Sequence, residues 1–322
     1  MSCGGREVLL AGAVACLCAS AARGQTLKKE LELSAPVRIV SAVTCDGGSE
    51  IVGSGADGAV YVWKTPSPEP RRIEIAEGNA SGVLACGGGK TLAVALKKGN
   101  GKAVVLDTES GAVRQRIDAQ SGVSALAVSP DGGFLAIATS IYPTQVWDLK
   151  TGQKRWTGVT NLGATWTTSI SANSQMVLSA DEDTNLRMYD SMGKQLYATE
   201  AGLLEPFASA FSDDGKTFAV AGADGAIRLF DTSTGKIVKT SSKAGSPIFG
   251  VCVSPDGKKV AALVVDDFKL EPVAQTLWDT QSGETKKLEV DPKSVVGAGT
   301  NRSHLALILQ ESGNKLSVVS VE

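Results

Sequence analysis

The chain has 322 residues, 43% of them hydrophobic and 20% charged, a globular composition long enough for a large core that argues against disorder. Its 32 Lys and Arg against 34 Asp and Glu give a formal net charge of -2. That balance lacks the basic footprint that phosphate-backbone binding needs, so nucleic acid is set aside as a partner. With 36 Gly, only 5% aromatics and no long helical pattern, the chain reads as turn-rich and all-β.

The first predicted element is a targeting segment, residues 1–22. Its apolar run Val8 to Ala22 is too short to span a bilayer comfortably and ends in small residues that allow cleavage near Ala21 or Ala22. The expectation is export, to the periplasm or outside the cell, with no membrane insertion once the signal is removed. Because Glu7 offsets Arg6, an uncleaved anchor is the alternative. Of the six cysteines, Cys3, Cys16 and Cys18 would leave with the signal. Cys45 and Cys86 flank turns at related places in successive units and are expected to lie too far apart for a disulfide. Together with Cys252 they read as small hydrophobes rather than redox or metal groups.

Leu27 to Leu33 alternates like a lone strand. A repeat then begins, whose third strands end at Trp63, Leu106, Trp147, Tyr189, Phe230, Trp278 and Val319, with spacings of 43, 41, 42, 41, 48 and 41. The cleanest copy is Gly222 to Val238. There an Asp-Gly turn (Asp224, Gly225) leads into a strand closed by the Asp231 to Gly235 turn, with Asp as the side-chain cap and Gly in the left-handed position of a bulge. A second family of turns keeps the same phase, at Ser129, Ser171, Ser212 and Ser254 among others. A period of about 40 to 45 residues with four strands per unit is what a propeller blade requires. Seven units fill the chain. The seventh ends after its third strand, and the Leu27 to Leu33 strand would complete it and close the ring. The expected fold is an all-β, seven-bladed β-propeller over residues 27–322.

Trp147-Asp148 and Trp278-Asp279 are literal Trp-Asp pairs, and Tyr189-Asp190 and Phe230-Asp231 are near ones. On these residues the chain resembles the WD-repeat β-propeller family, over about Leu27 to Glu322. It departs from the family in lacking the Gly-His pairs that open a repeat, since His304 is its one histidine. The resemblance is closer to secreted, bacterial-type members. The network that this His makes with the turn Asp cannot form at Asp57 or Asp224, which are expected to serve their own turns.

Candidates for chemistry are few. His304 aligns with the start of a second strand and reads as a strand residue rather than a general base. Asp181, Glu182 and Asp183 fall in one turn and read as solvated rather than as a calcium site. Asp148 to Trp156 resembles a tryptophan-docking repeat of quinone-dependent propellers, against the simpler reading that Trp156 packs in an outer strand. No catalytic, cofactor-binding or metal residue is assigned.

A stronger signal lies five residues before Ser171, Ser212 and Ser254, where Trp166, Phe207 and Phe249 repeat a large aromatic at one structural position. In WD-repeat propellers this position implies the top face beside the central channel. Small residues, Ser81 and Ser294, sit there in units two and seven. A 48-residue spacing places an insertion, Asp266 to Gln275, on the same face, bringing Phe268, Leu270 and Pro272 near Phe249. The aromatics either bind a partner or plug the channel. The expected function is an exported, non-enzymatic scaffold that binds a protein or peptide through Trp166, Phe207, Phe249, Phe268 and Leu270, with Glu205 and Asp183 at the rim. The alternative is a propeller enzyme, a lactonase-like hydrolase or a quinone-dependent dehydrogenase.

Overall fold

The computed structural model describes residues 27–321 apart from 46–47, 77, 98–100, 161–162, 201, 203–204, 267–268, 270, 289, 302–303 and 313–314. The expected targeting segment therefore lies outside the described residues. What is described is all-β: five sheets of four antiparallel strands and one of eight. The eight resolve into two runs of four, one formed by Val295–Asn301, His304–Glu311, Lys315–Val321 and Leu27–Ser34, the other by Ile39–Cys45, Glu50–Gly55, Val60–Lys64 and Arg71–Ile73. Their inner strands touch in parallel at only two places, Ala42 with Gly297 and Val43 with Ala298. The architecture is thus a series of four-stranded meanders of the propeller type.

The inner strands, in chain order, are Ile39–Cys45, Ala80–Gly87, Val123–Val128, Thr165–Ile170, Ala208–Phe211, Ile248–Val253 and Val295–Asn301. The matching outer strands are Arg71–Ile73, Val113–Asp118, Lys154–Thr157, Gln195–Glu200, Ile237–Thr240, Thr285–Lys287 and, for the last, Leu27–Ser34. Leu27–Ser34 pairs antiparallel with Lys315–Val321, Leu33 lying opposite Leu316. The Trp63 indole N–H donates to the Ser34 carbonyl at 2.8 Å and ties this strand to the first meander.

Local turn chemistry explains why the strands begin and end where they do. At Asp231, one carboxylate oxygen accepts from the Ser233 and Thr234 hydroxyls and from the Thr234 N–H at 2.7 to 2.9 Å. Gly235, at φ +67°, returns its N–H to the Asp231 carbonyl. The register skips between Leu229 and Phe230, the bulge this turn requires. Asp107, Asp148 and Asp279 repeat the arrangement. The Ser turns act in the same phase: Ser254 donates its hydroxyl to Asp256 and accepts the Lys259 N–H, as Ser212 does with Asp214 and Thr217.

Packing joins each meander to its neighbours. Among the described residues seven apolar clusters each draw on two successive meanders, bringing together Val62 with Leu84 and Leu92, Val146 with Val177, Met188 with Phe218, and Leu277 with Leu307. The last pairing in the series brings Leu33, Ala306 and Ile308 against Ile39 and Trp63, so the final meander shares a core with the first. Burying each such side chain contributes about 1.5 to 3 kcal/mol. A polar clasp runs parallel to this packing at the periphery. A side chain of five of the outer strands donates to the backbone of the next meander's last turn: Arg71 to Glu109 and Ser110, Gln115 to Leu149, Trp156 to Ser191, Tyr197 to Thr232 and Lys239 to Gln281. Trp156 accordingly packs in an outer strand, over Gly193, where a β-carbon would come within 2.6 Å of the ring.

Three expectations are corrected. Cys45 and Cys86 form a disulfide, with Cα atoms 5.8 Å apart at a sequence separation of 41. They lie near the ends of adjacent inner strands, so one repeat of sequence separates residues that are neighbours in space. The Asp266 to Gln275 insertion is partly strand, because Pro272 to Gln275 belong to Pro272–Asp279, which pairs with Lys259–Val265 as far as Val265 with Pro272. Ser294 belongs to the short 3-10 turn Pro292–Ser294, and Val296 takes the position that matches Phe249. Cys252 behaves as a small hydrophobe, buried in an apolar cluster that pushes its thiol pKa up.

Candidate functional site

Near its start, an inner strand repeatedly carries one residue more than its partner. The register skips Val40, Ser124, Trp166, Phe249 and Val296. A bulge of this kind turns the extra side chain away from the pleat. Phe207 directly precedes the paired strand Ala208–Phe211 and joins the other two aromatics by contact. Its ring lies 4.2 Å from that of Phe249 at an interplanar angle of 7°, and 5.4 Å from Trp166 at 84°. All three are half-buried, and Phe249 rests on the cluster around Cys252 and Leu263. The sequence-predicted aromatics thus form one continuous run across the fourth to sixth meanders. Beneath them the inner strands carry a chain of hydroxyls, Thr167 to Ser209 at 3.3 Å and Ser209 to Ser169 at 3.1 Å.

The carboxylates beside this run differ from the solvated turn expected of them. Asp181 is fully buried and accepts from Thr165 at 2.8 Å, Ser179 at 2.6 Å and Arg187 at 2.6 Å. Burial pushes its pKa up, against the pull of those three partners. The Asp183 carboxylate is 6% exposed and is held by the same Arg187 guanidinium, so it braces the rim from inside. Glu182 between them is exposed. Glu205 is exposed too, in a left-handed conformation at φ +52°. Phe268 and Leu270 lie outside the described residues.

Sequence reasoning missed three neighbours. Ile141 and Val159 are each 61% exposed and Tyr142 is 42% exposed, on connections at the same end of the third meander. Gly163, three residues before Trp166, lies against the Ile141 carbonyl. The signal for them was an apolar triplet, Ile141-Tyr142-Pro143, inside a turn. On the far side, a cleft of about 440 Å³ is lined by Asp224, Lys243, Pro247 and Asp266, next to the strand that carries Phe249. Among the described residues no three His, Cys, Asp or Glu side chains are grouped to hold a metal ion. No helix among them is long and apolar enough to cross a membrane.

The family model of the anaphase-promoting complex subunit 4 WD40 domain matches residues 172–254, which hold the Phe207 to Phe249 portion of this run. An uncharacterized WD repeat-containing protein of Synechocystis is 29% identical over 143 residues, 44% of this chain and 40% of that protein. Over these stretches the chain is similar to WD-repeat proteins. Autophagy-related protein 16 of Arabidopsis thaliana is 28% identical over 217 residues, 65% of this chain and 42% of that protein. The chain thus spans about two fifths of the length of the curated relatives it matches. Its turn Asp residues find partners without a repeat-opening His. Asp224 accepts the Ala226 N–H of its own turn and pairs with Arg228 at 2.8 Å. Asp57 does the same with Ala59, Tyr61 and Arg72. An arginine thus pairs with each of these turn carboxylates, joined by a tyrosine at Asp57.

Proposed function

We propose that this WD-repeat chain is an exported, non-enzymatic, seven-bladed propeller that binds a protein or peptide across the top face of its fourth to sixth blades. The observation that carries the reading is the run of Trp166, Phe207 and Phe249, half-buried and in mutual contact where the inner strands begin. Aromatic anchors of this kind dominate binding energy at interfaces. Phe268 and Leu270 would add apolar contacts to the partner, Glu205 orients it, and Asp183 acts through Arg187 by keeping the rim in shape. Seven blades and a closed ring are supported by the shared cores and by the pairing of Leu27–Ser34 with Lys315–Val321. Export is supported by the Cys45–Cys86 disulfide, a bond that persists in oxidising compartments.

The test is affinity capture from the native extracytoplasmic fraction, comparing the wild type with the Phe207→Ala/Phe249→Ala double variant. Loss of more than about 2 kcal/mol of binding, roughly 30-fold in affinity, is expected for one specific partner, with thermal stability nearly unchanged. Equal capture by both forms moves the interface elsewhere. A large drop in melting temperature shows instead that the rings plug the channel.

A further inference from the structure

We infer that the partner presents a lysine or arginine side chain, which lies against the Trp166 and Phe207 rings between Glu182 and Glu205. The inference rests on the proposed top-face reading and adds the chemistry of the occupant. Charge on this face is its first support. Most carboxylates here already have a cation: Asp181 and Asp183 share Arg187, Asp224 has Arg228, and Glu271 has Lys293. Glu182 and Glu205 are exposed and carry no ion pair among the described residues. Two unmatched negative charges therefore flank the aromatic run, where they favour a cation and repel phosphate groups.

Position is the second support. The Glu182 N–H donates to the Ala164 carbonyl at 3.1 Å, which puts Glu182 beside the chain two residues before Trp166. Glu205 lies two residues before Phe207. Its carbonyl accepts the Ala223 N–H at 3.3 Å, and a β-carbon on Gly222 would come within 2.1 Å of that oxygen. Each glutamate is thus anchored through its backbone within a few residues of one that carries an aromatic ring. A cation set between them meets the negative face of a ring and an anion together, an arrangement that suits an ammonium or guanidinium group.

The test uses a phage-displayed library of random linear peptides selected against the full chain, followed by fluorescence anisotropy on the synthesised winners. Lysine or arginine should be enriched among them. Affinity should fall about tenfold or more in Glu182→Gln/Glu205→Gln, and it should weaken as salt rises. A thermal melt of that variant matching the wild type makes the loss a binding effect. Winners without cationic enrichment that still need Phe207 and Phe249 overturn the charge inference and leave the top-face reading standing. Cationic winners that bind Phe207→Ala/Phe249→Ala as well as wild type overturn both, and an empty selection overturns the inference.

Discussion

A β-carbon on Gly297 would lie 1.8 Å from the Ala42 carbonyl oxygen. That contact sits in the short parallel seam between the first and last inner strands, where backbone approaches backbone and glycine alone fits. Gly297→Ala must push the strands apart, with an expected cost of about 2 kcal/mol or more, read as a lower denaturation midpoint in urea. An unchanged midpoint would mean that the seam contributes nothing. At this scale the sequence was only partly legible. The aromatic positions could be read because one offset from a Ser turn repeats. The Asp183 to Arg187 pairing could not, because it depends on which side of a hairpin each side chain faces after the turn.

The turns are the most legible elements, since their chemistry is complete within five or six residues. They also set a pH response. Asp148 is held down to about 2 by the Thr151 N–H and by Arg155, and Asp107 to about 2 by the Ser110 N–H and hydroxyl and by Arg114. Asp256 is held to about 2 by Lys258 and Ser254. Each folded value lies below the unfolded value of about 3.9. Their stabilisation is therefore complete above that value and is lost as pH falls from about 4 towards 2. Melting temperature should decline over this window, and Asp148→Asn should flatten part of the decline. A flat profile would remove the turns as the source. The outer-strand clasps were not legible, because arginine, glutamine, tryptophan, tyrosine and lysine serve one geometry and leave no common motif.

For the molecule as a whole, the disulfide is the feature that sequence reasoning misjudged. The 41-residue separation of Cys45 and Cys86 is itself one repeat, and between successive meanders one period means adjacency. Cross-linking a loop of that length removes about 4 kcal/mol of unfolded-state entropy at 25 °C. Cys45→Ala/Cys86→Ala, or the reduced protein, should lose stability of that order in equilibrium denaturation, while a difference below about 1 kcal/mol would show that the bond is incidental. The period, the strand count and the pairing of the first strand with the last were all legible, because they follow from repetition alone. That last pairing governs how the molecule comes into being. A ribosome delivers Leu27–Ser34 well before Lys315–Val321, so the earlier strand waits for its neighbour until everything between them has been made. Loop-closure entropy makes such a distant contact slow to form. During that interval two strand edges lie bare, each a template for a foreign strand. Both edges therefore stay open to mispairing until that distant contact forms.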